Sequence, residues 1–356
     1  MKITIAASLL TVACMMNAQI WPDAKPPIAE KQNHIRDIHG EKVSDPYYWM
    51  IDYFKKGKDS TKVVNYLNAE NAYLETMMAD TKQLRANLYE EMKARIKEKD
   101  ESVPVFKNGY YYYSRTETGK QYFKYCRKKG NLSAPEEILL DVDQMAEGKA
   151  YYTATGFSIS PDNSKMIYGV DDVSRRQYSL FLKDLNTGKI TDLGIKNTEG
   201  NAVWAADNNT IFYTAKNDVT LLSEKIKRHT LGTDPSKEAV VYEEKDNTNY
   251  IGVGKSKNEK YIMIYSSATT SSEVRYLPAD NPNGGFKVFQ PRMKDVLYDI
   301  TPLEDKFLIT TNKDALNFKV METPINKTGV ENWKDLIPHR KDVLMLGVDE
   351  FKNFLV

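Results

Sequence analysis

Apolar residues between Thr61 and Ile96 keep a helical rhythm, and those beyond Ser102 do not. Between Thr61 and Met78 they fall at Val63, Tyr66, Leu67, Tyr73, Leu74, Met77 and Met78, the i, i+3, i+4 spacing of a helix with one buried face. A second helix is predicted after Asp80, which stands as an N-cap with Gln83 three residues on, close to a capping box. Leu84, Leu88, Met92 and Ile96 form its stripe, and the charge run Lys97–Glu101 ends it. Each helix offers one apolar face, so both predict a docking surface larger than themselves.

From Ser102 onward the pattern becomes short strands in a repeat. "FSISPDNSKMIYGV" (157–170) reads as strand, Pro-Asp-Asn turn, strand. "VWAADNNTIFYTA" (203–215), "IGVGKSKNEKYIMIYSS" (251–267) and "YDITPLEDKFLITTN" (298–312) repeat it. Third strands follow in "QYSLFLKD", "SEKIKRHT", "EVRYLPA" and "NFKVMETP", and fourth strands in "GKITDL", "EAVVYEE" and "FKVFQP". The second strands begin near Lys165, Thr210, Lys260 and Lys306, spacings of 45, 50 and 46 residues. Four strands at that period predict β-propeller blades. "VLMLGVDEFKNFLV" (343–356) repeats a first strand, a turn and the start of a second, so the expectation is a propeller that stops in about its sixth blade.

One stretch departs from ordinary alternation. "NGYYYYSRTETGKQYFKYCRKKG" (108–130) is aromatic on both faces of its strands. In a propeller an inner strand is covered on both sides by stacked blades, which removes the puzzle. Tyr110 and Tyr112 are expected to face one neighbouring blade or its gap, Tyr111 and Tyr113 the other. With a turn centred on Glu117-Thr118, Tyr113 would pair with Tyr122 and Tyr112 with Phe123. The stretch is read first as blade packing and second as a binding surface.

The N-terminus stands apart. Lys2 precedes an apolar run from Ile3 to Met16, too short to span a bilayer, and Ala18 before Gln19 is a plausible cleavage point. Residues 1–18 are expected to be an export signal, with periplasmic or exported localisation. A lipoprotein signal through Cys14 is the alternative, with Thr11 standing where leucine is usual, and membrane association would follow only from that lipidation. Residues 19–100 then form an extended and helical segment, and 101–356 the propeller. With Cys14 removed, Cys126 is left alone, so no intrachain disulfide is expected and a buried, inert thiol is.

Composition narrows the function classes. The chain has 356 residues with 50 basic and 49 acidic side chains, a formal charge of +1, which argues against a nucleic-acid or membrane-surface binder. There are 23 tyrosines, in keeping with β structure. No G-x-S-x-G occurs. "GVGKS" (252–256) lacks the further glycine a phosphate loop needs, Asn249 standing there, and reads as a blade turn. "DVDQMAEG" (141–148) starts like a calcium loop but has Met145 where an oxygen ligand is required. His34, His39, His229 and His339 are scattered rather than clustered, which assigns each to packing or solvent rather than metal. The adjacent carboxylates Glu90-Glu91, Glu136-Glu137, Asp171-Asp172 and Glu243-Glu244 are expected on solvated surface, and Arg175-Arg176 to pair with Asp171 or Asp172. No catalytic, cofactor-binding or metal-binding residue is assigned, and no cofactor.

"DPYYWM" (45–50) before two helices resembles the N-terminal segment of prolyl oligopeptidase-type serine peptidases. "YYSRTETGKQY" (112–122), "YCRKKG", "APEEILLDVD" (134–143), "SRRQYSL" (174–180) and "IPHR" (337–340) look like the oligopeptidase B branch, in order from about Pro26 to Val356. The resemblance implies a seven-bladed propeller capping an α/β-hydrolase domain, with the N-terminal helices docked on that domain. It further implies a Ser-Asp-His triad in a C-terminal part without counterpart here, cleavage of short peptides after Arg or Lys, and exclusion of folded proteins by the propeller. The expected partners are therefore short basic peptides and a C-terminal hydrolase domain. The chain by itself is expected to be inactive. A stand-alone periplasmic propeller that binds peptides is the alternative, and the unpartnered helices at 61–99 count against it. A propeller lyase acting on sugar acids would want clustered metal-binding histidines.

Overall fold

The computed structural model describes residues 22–55, 60–351 and 353–356. The predicted export signal and Cys14 lie outside the described residues. The chain divides into two compact units between Lys97 and Glu98.

In the first unit, β1 (Ile35–Ile38) and β2 (Glu41–Ser44) make a hairpin that turns through His39 and Gly40, both at positive φ. A 3-10 turn (Tyr48–Ile51) leads into α1 (Asp52–Lys55), followed by α2 (Ser60–Met77) and α3 (Lys82–Ala94). Trp49 anchors the unit. It is buried, its Nε1 donates to the Glu30 carbonyl at 2.9 Å, and the Lys62 ammonium lies 4.9 Å over its ring while pairing with Glu30 at 2.6 Å. The helices fall where the periodicity puts them, but the predicted cap does not form. Asp80 sits inside a 3-10 turn (Ala79–Thr81), and Thr81 precedes α3 in helical conformation without a side-chain cap. The chain stays helical through the junction, so no extended residue is left to cap. Leu67, Leu74, Leu84, Leu88, Met92 and Ile96 all remain exposed.

The described residues of the second unit form five four-stranded antiparallel sheets, each a sequential meander, arranged as propeller blades. Blade 1 holds β3 (Val105–Lys107), β4 (Tyr110–Arg115), β5 (Lys124–Lys129) and β6 (Glu136–Asp141), and α4 (Val142–Met145) follows it. Blade 2 holds β7 (Thr153–Ile159), β8 (Lys165–Asp171), β9 (Ser179–Asp184) and β10 (Ile190–Asp192). Blade 3 holds β11 (Thr198–Trp204), β12 (Thr210–Lys216), β13 (Ser223–Thr230) and β14 (Ala239–Glu243). Blade 4 holds β15 (Tyr250–Lys255), β16 (Tyr261–Ser267), β17 (Ser272–Pro278) and β18 (Lys287–Val288). Blade 5 holds β19 (Tyr298–Pro302), β20 (Lys306–Thr311), β21 (Lys319–Pro324) and β22 (Lys334–Ile337). The first strands β7, β11 and β15 lie side by side, which makes them the inner strands.

The core is a run of seams between neighbouring blades. Tyr168 and Met166 pack against Leu140 and Val142; Ile167 and Leu180 against Trp204 and Ile211; Phe212 and Ile226 against Ile262 and Leu277; Phe289 and Tyr276 against Phe307 and Trp333. The second strands β8 and β12 are buried along almost their whole length, because each is covered by a blade on both faces. Fully burying a side chain of this size contributes about 1.5–3 kcal/mol, so the seams hold the blades in order.

Two strand expectations are corrected. Across the tyrosine hairpin Tyr113 pairs with Cys126 and Tyr112 with Arg127, not with Tyr122 and Phe123. The connection is long, running from Arg115 to its partner Lys124, because Asp143 accepts the amides of Gln121 and Tyr122 and so holds the loop away from the ladder. The rings alternate between two faces as expected, but among the described residues only the Tyr112 face has contacts that reach a neighbouring blade. Tyr112 bonds Asn163 of blade 2 and Tyr125 packs at a tilt against Phe157, whereas Tyr111 meets Phe106 and Tyr113 bonds Glu136 within blade 1. The second correction is at 343–356, where the expected strands shrink to a single bridge, Glu350 to Leu355, with reciprocal Asp349–Val356 hydrogen bonds around the turn. Val343–Gly347 has no described ladder partner, and a strand without one does not persist.

Candidate functional site

The inner hairpin turns repeat one conformation. Asn108, Asn163, Asn208 and Glu259 all take positive φ, at 47°, 61°, 57° and 61°. Asparagine tolerates that region, and glutamate does so at a cost. The turns bond one another. Asn163 Nδ2 donates to the Asn108 carbonyl at 3.0 Å, the Asp162 amide to Asn208 Oδ1 at 2.8 Å, and Asn258 Nδ2 to the Pro302 carbonyl at 2.9 Å. A longer link joins blade 1 to blade 4. Lys107 Nζ lies 2.7 Å from Glu259 Oε1, and Asn108 Nδ2 donates to Glu259 Oε2 at 3.4 Å. Burial works against ionisation of Glu259, but the bond and charge of Lys107 outweigh it and hold the carboxyl below the usual range.

Behind these turns, centred on blades 1 and 2 and reaching Trp204 of blade 3 and Lys255 and Glu259 of blade 4, is a cavity of about 410 Å³. Tyr112, Tyr125, Phe157 and Trp204 supply ring walls; Lys255, Lys107 and Glu259 supply its charge. Trp204 is fixed by Nε1 donating to the Ser158 carbonyl at 2.9 Å. Burial pushes the Lys255 ammonium below the usual lysine range, with the Glu259 charge opposing. The cavity has the size and mixed lining of a small-ligand site. The sequence singled out its tyrosines but not Lys255, Glu259 or Trp204. The available signal was the odd glutamate at a turn position where asparagine recurs.

The other sequence candidates settle into structural roles. Cys126 also lines the cavity; it is buried, and burial raises its thiol to about 11, which leaves it inert. Asp141 caps α4, accepting the Gln144 amide, and pairs with Lys124 at 3.0 Å. "GVGKS" ends β15 and opens its turn. Arg176 offers Asp171 its backbone amide, at 2.7 Å, rather than its guanidinium, and Asp172 pairs with Lys149, because Arg176 sits at positive φ in a tight loop that points its amide inward. Glu136 and Glu137 diverge as adjacent strand residues must, to Arg115 and to Arg127. Glu244 is not solvated surface: Ser266 and Tyr242 donate to it at 2.7 and 2.8 Å, and Arg292 lies 3.4 Å away. His34 stacks on Tyr48, and His339 accepts the Asn317 amide. His229 is buried beside Glu238. Among the described residues no group of His, Cys, Asp and Glu is placed to hold a metal, and no helix is long and apolar enough to cross a membrane.

The Glu136 cluster gives a pH prediction. Arg115 bonds Glu136 through two nitrogens and Tyr113 donates to it, and the Arg115 bonds lower its carboxyl from the ordinary 4.5 to about 2 against the cost of burial. A carboxyl held low in the folded state stabilises above its unfolded pKa and loses that contribution as pH falls through the folded one. Unfolding midpoints should therefore fall between about pH 4.5 and pH 2 in the parent, and less steeply in Glu136→Gln. Equal slopes in urea titrations would remove Glu136 from the acid response.

Comparison with known proteins places this architecture. A family model described as the prolyl oligopeptidase N-terminal β-propeller domain matches residues 26–356. The chain is 39% identical to dipeptidyl aminopeptidase BI of Pseudoxanthomonas mexicana, covering all of this chain and 51% of that protein. It is 32% identical to protease 2 of Moraxella lacunata, over 91% of this chain and 48% of the relative. Among solved structures, oligopeptidase B from Leishmania major superposes with a TM-score of 0.83 at 30% identity, covering 93% of this chain and 49% of that one. The chain thus spans about half the length of the curated relatives it matches. With its blades and that match over nearly all of its length, the chain belongs to the prolyl oligopeptidase family of peptidases and corresponds to the family's N-terminal β-propeller.

Proposed function

We propose that this chain is the substrate-filtering propeller of a serine endopeptidase of oligopeptidase B type, which hydrolyses short peptides after Arg or Lys. The observation that carries this is the superposition on an oligopeptidase B along 93% of the chain, with several of the inner turns bonded to one another. In this proposal the exposed faces of α2 and α3 dock on a hydrolase domain that supplies the triad, and the 356 residues alone do not turn over peptides. Residues 1–18 direct export. An opening about one strand wide would admit an extended peptide and reject a folded domain, since a folded chain is far wider than one strand.

A second reading is favoured by one comparison. The relative at 39% identity is a dipeptidyl aminopeptidase, so the complete enzyme would release dipeptides from free N-termini. The two differ in what they need upstream of the cut. On the complete protein, a reporter with a blocked N-terminus and arginine before the leaving group should be cleaved under the first reading. Cleavage of an unblocked dipeptidyl reporter alone would replace it with the second. Cleavage of neither would overturn both.

A further inference from the structure

We propose that the cavity centred on blades 1 and 2 is a binding site for an aromatic carboxylate, with its ring among Tyr112, Tyr125, Phe157 and Trp204 and its carboxylate on Lys255. The proposal does not rest on the peptidase reading. The cavity, of about 410 Å³, falls in the ordinary range for small-ligand sites and exceeds what one aromatic acid occupies.

The charge pattern selects an anion. Two lysines and one glutamate line the cavity, and the glutamate is already engaged, by Lys107 at 2.7 Å and by Asn108. Lys255 differs. Among the described residues its ammonium has neither a hydrogen bond nor an ion pair, and Glu259 acts on it only through space. A partly buried cation without a partner is costly, and an incoming carboxylate would remove that cost. A cationic ligand would instead have to compete with Lys107 for Glu259 while facing Lys255.

The walls select an aromatic group. Tyr125 and Phe157 pack against each other at a tilt of 39° with centroids 3.8 Å apart, and Trp204 is held in place by its bond to the Ser158 carbonyl. Rigid ring walls favour a flat ligand, because little side-chain freedom is lost on binding. Glu259 at positive φ lies in the turn that follows Lys255, and its bonds to Lys107 and Asn108 tie that turn to blade 1 at the cavity. The shared chemistry is a ring with a carboxylate, which either the C-terminal residue of a peptide or a free small acid can provide.

Calorimetric titration of the full chain tests this with N-acetylphenylalanine, its amide, phenylacetate and Gly-Gly-Phe. The acid should bind at least about tenfold more tightly than the amide, the worth of one charge-assisted hydrogen bond. Lys255→Met should abolish that preference while leaving the amide affinity unchanged. Binding of Gly-Gly-Phe but not phenylacetate identifies a peptide C-terminus as the occupant; the reverse identifies a free acid; either supports the site. Trp204 emission should shift with the acid, and the shift should vanish in Trp204→Phe. The acid-against-amide comparison uses the parent protein, so it stands even where a variant fails to fold. Equal affinity for acid and amide, or no heat with either at millimolar concentration, would overturn the proposal.

Discussion

Gly200→Ala should destabilise the propeller by about 2–5 kcal/mol, enough to consume a large part of a typical domain's stability. Two costs add. Gly200 sits at φ +85°, which a residue with a Cβ adopts under strain. A Cβ there would also lie 2.7 Å from Thr155 Cγ2 and 2.8 Å from Tyr178 Cγ. Thr155 is on β7 of the neighbouring blade, and Tyr178 leads into β9, so neither can withdraw without opening the seam between blades 2 and 3. Gly169 separates the two costs. Its φ is not in the positive region, yet a Cβ would stand 2.4 Å from the Gly200 Cα, which is backbone and cannot rotate away. Gly188 is the control, at φ +74° with nothing within 4 Å. Urea unfolding should rank Gly188→Ala mildest, at about 1 kcal/mol. A Gly200→Ala midpoint no lower than that of Gly188→Ala would mean that Thr155 and Tyr178 do not pack against Gly200.

Glu238→Ala should cost about 3–5 kcal/mol, the range for breaking a buried charge cluster on one side. The Glu238 side chain is 3% exposed and His229 is 2% exposed. Tyr213 donates its hydroxyl to Glu238, and burial together with that carboxylate drives the phenol well above the ordinary tyrosine range. His229 Nδ1 lies 3.0 Å from Glu238 Oε1 without hydrogen-bond alignment, and Lys227 Nζ lies 3.8 Å from Oε2. Alanine would strand the tyrosine hydroxyl and the imidazole inside blade 3. Glu238→Gln keeps an acceptor and should cost less. In a double-mutant cycle, Glu238→Ala with Tyr213→Phe should show a coupling of about 0.5–3 kcal/mol. A single-variant loss within about 0.5 kcal/mol, the range of ordinary surface substitutions, would show that the cluster does not hold the blade.

Much of this fold can be read from periodicity, because blade strands depend on local pattern. The second strands begin at Lys165, Thr210, Tyr261 and Lys306, within a residue of the repeat. What escaped depends on distant residues. The tyrosine hairpin has a longer loop than its Thr-Glu-Thr-Gly turn signal suggests, because Asp143, 22 and 21 residues on, captures the loop amides of Gln121 and Tyr122. The fourth strand of blade 5, Lys334–Ile337, is exposed throughout and carries no alternation to find. Asp80 satisfies a capping pattern, yet the helical junction through Thr81 leaves no N-cap for it to fill. His229 looked like any scattered histidine, since Glu238 and Tyr213 reach it only through strand pairing across blade 3. The cavity combines residues from four blades, so its aromatic half was visible as a run of tyrosines, and Lys255 with Glu259 was not.

The central proposal is that this propeller filters peptides for chemistry carried out by a partner domain. The most direct test is to incubate the purified 356-residue chain with an arginyl peptide reporter, with and without a serine-directed inhibitor. The expected result is no turnover above buffer in either tube. Turnover that the inhibitor abolishes would place a serine nucleophile within this chain and contradict the proposal.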